Sequence, residues 1–155
     1  MTITLTKDLM DAYEKAIYVI KDKHLDITLR HNGSHELSDQ LLTKYNAKLA
    51  GFITPENPFS LVLTDTENYC RHERFKSLLN DRNLPFLEGY GTDEVELWGK
   101  EVSYFVFAKS EEQLDLLSGL FGQNAYLFIA KNVSPKLKFI QSIQYSNHSS
   151  ININD

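Results

Sequence analysis

Val102-Ser103-Tyr104-Phe105-Val106-Phe107-Ala108 is the most strand-like run in the chain, and the segments on either side of it decide the fold. Aromatic and β-branched residues crowd these seven positions, as a pleated, packed surface requires. Directly after the run, Ser110-Glu111-Glu112-Gln113 has the spacing of a capping box, in which a hydroxyl and a side chain three residues on satisfy free backbone N–H groups. It opens a helix whose Leu114, Leu117, Leu120 and Phe121 share one face, and Gly122 stands where a helix C-terminal glycine belongs. Tyr126 to Ala130 is then a further strand.

Upstream, Pro85 to Tyr90 reads as a strand, with Gly89 and Gly91 at its end. Thr64-Asp65-Thr66-Glu67 is another capping box, and its helix runs to about Arg82. Lys48 to Thr54 (KLAGFIT) is a buried strand that Pro55 ends. The order from Lys48 to Ala130 is therefore strand–helix–strand–strand–helix–strand. It predicts an α+β fold, a ferredoxin-like (split βαβ) two-layer sandwich with a mostly antiparallel sheet. An N-terminal hairpin and helix extend it. Asp8 to Tyr13 is a short helix, and Ala16 to Ile20 and Leu25 to Arg30 are strands. Asn32-Gly33-Ser34 is a turn, with Ser34 as cap of a helix whose Leu37, Leu41, Leu42 and Tyr45 lie on one face. Lys136 to Ile140 is an edge strand after a turn at Asn132 to Pro135. The reading is one domain over 1–141, followed by a loosely ordered polar tail, 142–155, rich in Ser and Asn.

Bulk properties narrow the function. The 155 residues are 42% hydrophobic and 24% charged, the balance of a globular domain, and nine Phe with eight Tyr supply ample core. The net charge of −5, with Arg71, His72, Arg74, Lys76 and Arg82 interrupted by Glu73 and Asp81, argues against a nucleic-acid groove. Apolar stretches fall far short of the about 20 residues that span a bilayer, and Met1 to Lys7 lacks a signal-peptide pattern. With the single Cys70 excluding an internal disulfide and a cysteine zinc site, a cytoplasmic location is expected. Phosphate-loop, dinucleotide and Gly-x-Ser-x-Gly motifs are absent, so no cofactor is expected. His31, His35 and Asp39 have superficially metal-like spacing, which is weak, and no metal is expected. Cys70 has Arg71 and Arg74 nearby but no evident base or resolving partner, so it reads as inert.

Alternating strand directions bring four distant segments to one sheet edge: Thr54 to Ser60, the first turns of the 65–82 helix, Gly89 to Glu101, and Gly122 to Asn124. Asn68, Arg71, Phe75, Leu78 and Arg82 share a face of that helix. Its N-terminal turns carry Asn68 and Arg71, where the helix dipole favours an anion. Asn57-Pro58-Phe59 precedes the helix, Trp98 and Glu101 precede the central strand, and Gln123-Asn124 follows the second helix.

Phe52-Ile53-Thr54, Asn57-Pro58-Phe59-Ser60, Asn68, the Gly89/Gly91 turn, Trp98, Glu101-Val102-Ser103 and Phe121-Gly122-Gln123-Asn124-Ala125 form a pattern that resembles the bacterial domain-of-unknown-function family DUF3293. The likeness runs from about Lys48 to Ala130. Pro55-Glu56 departs from it, standing where an aliphatic or small residue followed by an aromatic is usual. The resemblance implies a shared fold and a shared polar edge, and it carries no activity.

The function expected at this edge is binding of a small anionic ligand or substrate. Arg71 would hold the anionic group, Asn57, Asn68, Gln123 and Asn124 would read polar edges, and Pro58, Phe59 and Trp98 would shape the wall. Glu101 is the candidate catalytic acid or base, because a carboxyl beside aromatic rings rises toward neutral pKa. The bland readings stand beside these: Asn57-Pro58 as a turn, Asn68 and Arg71 as a cluster holding Glu101, and Gln123-Asn124 as the end of a helix. The alternative function is a non-enzymatic protein–protein interaction module that uses the Lys136–Ile140 edge or the acidic 88–101 surface.

Overall fold

The computed structural model describes residues 2–58, 61–93, 99–140, 142–145 and 150–154. In chain order the elements are β1 (Thr2–Thr6), α1 (Lys7–Lys15), β2 (Ile17–Asp22), β3 (Leu25–Leu29), α2 (Glu36–Lys44), β4 (Leu49–Ile53) and α3 (Asp65–Asp81). They continue with β5 (Phe86–Thr92), β6 (Glu101–Ala108), α4 (Glu111–Leu120), β7 (Ala125–Ala130), β8 (Val133–Phe139), β9 (Ser142–Tyr145) and β10 (Ser150–Asn154). Local chemistry sets most of the boundaries. Thr64 and Glu67 form the capping box of α3, and the Ser110 hydroxyl accepts from the Gln113 amide at the start of α4. On α2 the cap is His35, one position later than the expected Ser34, and makes no side-chain bond, while Ser34 Oγ accepts from Glu36 N. The last three helices end alike, on a left-handed residue (Asn46, Asn83, Gly122). The next amide then reaches back to Leu42 O, Leu79 O and Ser118 O.

Seven strands form one sheet in the order β3-β2-β5-β6-β4-β7-β8, and every pair is antiparallel. Alternation along β4, β6 and β7 divides the core in two. Ala50, Phe52, Phe105, Phe107, Leu127 and Ile129 turn to one face, which Leu41 and Leu42 of α2 cover. Ile53, Tyr104, Val106, Ala108 and Tyr126 turn to the other, against Phe75 and Leu79 of α3 and Leu114 and Leu117 of α4. Each buried Phe or Leu contributes about 1.5–3 kcal/mol. A two-layer sandwich was expected; α2 makes a third layer, because the first face is as apolar as the second and cannot stay wet. Asp22 of β2 locks α2 in place, accepting from Lys44 Nζ at 2.6 Å and from the Tyr45 hydroxyl at 2.5 Å. The Lys44 ammonium, with the Tyr45 hydroxyl, holds this carboxyl below the usual carboxylate range.

The sheet curls until its outer strands are bridged. Past the end of β3, Asn32 N donates to Pro135 O at 2.8 Å, and Leu137 N donates to His31 Nδ1 at 3.0 Å. These contacts engage Pro135 O and, within the expected Lys136–Ile140 edge, Leu137 N. Two helix-face assignments also change. Leu79, not Leu78, is the fully buried residue of α3, and Arg82 is an exposed C-cap. The stretch 142–155, expected to be loose, carries β9 and β10, and β10 pairs with both β9 and β1 in a separate three-stranded sheet. Ile143, Tyr145, Ile151 and Ile153 alternate with polar residues there, a period-two pattern hidden in the Ser/Asn composition.

Two glycines admit close approach. A Cβ on Gly51 would press on Leu114 and Tyr126 of the α4 layer at 3.1 Å. On Gly89 it would lie 2.0 Å from Val19 O and 3.0 Å from the Phe52 ring, inside the β2–β5 pairing. Gly89→Ala is therefore expected to cost about 3 kcal/mol or more in chemical denaturation, because backbone has to move. Gly119→Ala, on the exposed side of α4 with nothing near it, is expected to stabilise by about 0.5–1 kcal/mol.

Candidate functional site

The loop after β4 collects the polar residues. Its conformation starts with Asn57, whose φ of +47° is left-handed, a region that Asn tolerates better than most side chains. Asn57 Oδ1 accepts from Leu63 N at 2.9 Å and from Asn68 Nδ2 at 3.0 Å, and Asn57 N donates to Asn68 Oδ1 at 3.1 Å. Its remaining amide group, Nδ2, donates to Glu101 Oε2 at 3.2 Å. Pro58 O takes the Leu61 amide. Asn68 is buried on α3, so this exchange of amide bonds satisfies groups that would otherwise be desolvated without partners.

Arg71 fastens a different junction. Nε donates to Pro55 O at 2.5 Å, Nη2 donates to Phe121 O, and the guanidinium lies over the Phe121 ring at 5.4 Å. Gln123 Nε2 donates to Glu56 O at 2.7 Å and to Phe121 O at 3.2 Å. The Asn-Pro loop and the Gly-Gln-Asn corner thus meet at one rim, joined through backbone carbonyls. Asn124 is buried just beyond, its Nδ2 donating to the Tyr13 hydroxyl at 3.2 Å.

Glu101 pairs with Gly91 at the start of β6 and is half-buried. Burial raises its carboxyl to about 7; the Asn57 hydrogen bond opposes the rise, the Glu56 charge adds to it, and His72 offsets part. No hydrogen bond from a described residue reaches Oε1. Tyr18, on β2 across Gly91 of the intervening β5, has its phenol pushed up by burial, then by Tyr13 and by the Glu101 charge. Tyr18 donates to Tyr13 O at 3.3 Å. The rim therefore brings Asn57, Asn68, Glu101, Arg71 and Gln123 together, with Asn124 on the Tyr13 side; Phe59 and Trp98 lie outside the described residues. So do Glu94–Leu97 of the acidic surface.

Two features bear on the expected anion site. Arg71 has spent Nε and Nη2 on carbonyls and makes no ion pair with Glu101. The first turn of α3 already holds a negative side chain, because Glu67 Oε1 accepts from both Thr64 N and Thr64 Oγ1. Three residues of the rim were not foreseen: Glu56, His72 and Tyr104. Glu56 Oε2 accepts from Val102 N at 3.1 Å and bonds His72 Nε2 at 2.7 Å, while His72 Nδ1 meets the Tyr104 hydroxyl at 2.8 Å. The sequence held one clue: His72 stands four residues after Asn68 and three before Phe75, on the face that packs. His31 and His35 are used elsewhere, His35 Nδ1 bonding Asp39 at 2.7 Å. Among the described residues, no group of three or more His, Cys, Asp or Glu could hold a metal ion, and no helix is long and apolar enough to cross a membrane.

The rim's residues and the strands beneath them coincide with a family match. Residues 53–126 fit the family model described as protein of unknown function (DUF3293). This segment is a DUF3293 domain. Its span begins on the last residue of β4 and ends on the second residue of β7, so it takes in the loop, Glu101 and the Gly-Gln-Asn corner together. No curated protein and no solved structure matches the chain. The Pro55-Glu56 pair, a departure from the family pattern, is built into the rim here: Pro55 O takes Arg71, and the Glu56 carboxylate takes Val102 and His72.

The DUF3293 rim has a pH consequence. A folded pKa near 7 against an unfolded value of 4.5 means that the folded state binds the Glu101 proton more tightly. This contribution to stability is complete below about pH 4.5, declines as pH rises toward 7 and is level above it. The loss amounts to roughly 3 kcal/mol for this group alone. Urea titrations across that range should show the decline in the wild type and a flatter profile in Glu101→Gln.

Proposed function

We propose that this rim binds a small polar ligand and that Glu101 shares or exchanges a proton with it. One observation carries the reading: Glu101 is a half-buried carboxyl that ionises near neutral pH, anchored through Oε2 by Asn57 and with Oε1 unclaimed by any described residue. A group that changes charge near the working pH is suited to general acid–base work or to protonation-dependent binding. A ligand that offers a hydroxyl, amide or amine suits this carboxyl, with Arg71 Nε and Nη2 already on carbonyls and Glu56 adding a second acidic side chain. The order β5-β6-β4-β7 within the sheet supports the ferredoxin-like description of the domain's core, with β2, β3 and β8 as additions at the two edges. The single, free Cys70 is in keeping with a reducing cytoplasm.

Thermal-shift screening against metabolites and nucleosides tests the proposal, with Glu101→Gln and Asn57→Ala as controls and Arg71→Ala for comparison. The expected outcome is a ligand that raises the wild-type Tm by several degrees, with the shift lost in Glu101→Gln. A ligand at 100 times its Kd would stabilise by about 2.7 kcal/mol, well within detection. If every ligand that binds shifts the wild type and Glu101→Gln equally, the rim is a structural joint and the proposal fails.

A further inference from the structure

Glu56, His72 and Tyr104 approach Glu101 from the other side of the strand that carries it. By the alternation of β6, Val102 and Tyr104 project toward the α3 layer, whereas Glu101 and Ser103 project toward the face that Phe105 and Phe107 fill. The connection between the two sides is short. Glu56 Oε2 takes the amide of Val102, the residue next to Glu101, and Asn57, the residue next to Glu56, donates to the Glu101 carboxylate. The pair 56–57 thus grips the pair 101–102 from both faces.

We propose that Tyr104, His72 and Glu56 form a positioning chain that sets how tightly Glu101 holds its proton. The inference deepens the reading of Glu101 as the proton-sharing group of the rim. Its geometry keeps both ring nitrogens of His72 bonded to the same two partners in either charge state. With neutral His72, Nε2–H donates to Glu56 and Nδ1 accepts the Tyr104 hydroxyl. With protonated His72, Nδ1–H donates and the Tyr104 oxygen accepts, and no heavy atom has to move. Burial of Tyr104, stacked on Phe75 at 5.2 Å, keeps that end of the chain rigid. Glu101 therefore faces either an uncompensated Glu56 carboxylate or one offset by an imidazolium. Of the other polar groups named with it, Asn57 from the loop and Tyr18 from β2 are neutral at these pH values, and the charged Arg71 of α3 is bonded to Pro55 O and Phe121 O. Lys100, on its own strand entry, lies over the Tyr90 ring at 4.6 Å.

Carbon-13 NMR titration of the glutamate carboxyls in the full chain, without ligand, reads this directly. The wild-type midpoint of Glu101 is expected near 7. In Glu56→Gln, which keeps an acceptor for Val102 but loses the charge, the midpoint should fall by about half a unit or more. In His72→Gln, which loses the offsetting charge, it should rise. A merely structural chain predicts something different: both substitutions would loosen the loop, admit water and move the midpoint downward together. Shifts of the same sign, or unmoved midpoints, overturn the proposal. Should His72→Gln lose its dispersed amide spectrum, Glu56→Gln decides alone, and an unchanged or raised midpoint there counts against the chain. No ligand enters the titration, so its result stands apart from the ligand screen.

Discussion

A strand in the middle of a sheet presents alternate residues to opposite faces, and in β6 both sets are apolar. Tyr104, Val106 and Ala108 require cover on one side, Phe105 and Phe107 on the other. The arrangement of the other elements follows from this double demand. Helices α3 and α4 lie on one face, where Phe75, Leu79, Leu114 and Leu117 meet the strand's Tyr104, Val106 and Ala108. Helix α2 lies on the other, tied down by the Asp22–Lys44–Tyr45 contacts. The N-terminal hairpin widens the sheet on one flank and β8 on the other, and the His31–Asn32 turn bridges the two outer strands.

The cover is least complete at the start of β6, where the strand emerges from between the layers. Glu101 sits there, half in the core. Its surroundings are polar groups that mostly satisfy one another or the backbone: Asn57 with Asn68, Arg71 with Pro55 O and Phe121 O, Gln123 with Glu56 O. Such a joint tolerates little change, since removing one member strands a buried partner without water. It also explains how a short loop can serve structure and chemistry together. The groups that close the corner are the same ones that hold a carboxyl in a dry place and leave one of its oxygens available.

The Glu56–His72–Tyr104 chain illustrates how far the rim extends beyond the residues that mark it in one dimension. Glu56 looked like an irregularity in a loop, and Tyr104 like one more aromatic in a strand. They become connected only when α3 lays His72 across the sheet between them. His72 bonds Glu56 through one ring nitrogen and Tyr104 through the other, so a single side chain of α3 ties the loop to β6 beside Glu101.

Strand, helix and turn assignments were legible residue by residue because they rest on local physics: alternation in VSYFVFA, hydroxyl and acidic pairs at Thr64–Glu67, a glycine at 122 that accepts positive φ. Chain order with those elements was enough to send Asn57, Glu101 and Gln123 to a common edge. What alternation cannot say is which layer covers an apolar face, so α2's place had to come from the packed structure, as did the pairing of β10 with β1. Hydrogen-bond partners were likewise beyond local reading. The bonds from Arg71 to two carbonyls of separate segments could not be read from its place on a helix, and His72 had no visible partner until Glu56 and Tyr104 arrived from other elements. Propensity and capping are decided within a few neighbouring residues, whereas a side chain's partner and proton affinity depend on groups that only the folded chain brings within a few ångströms.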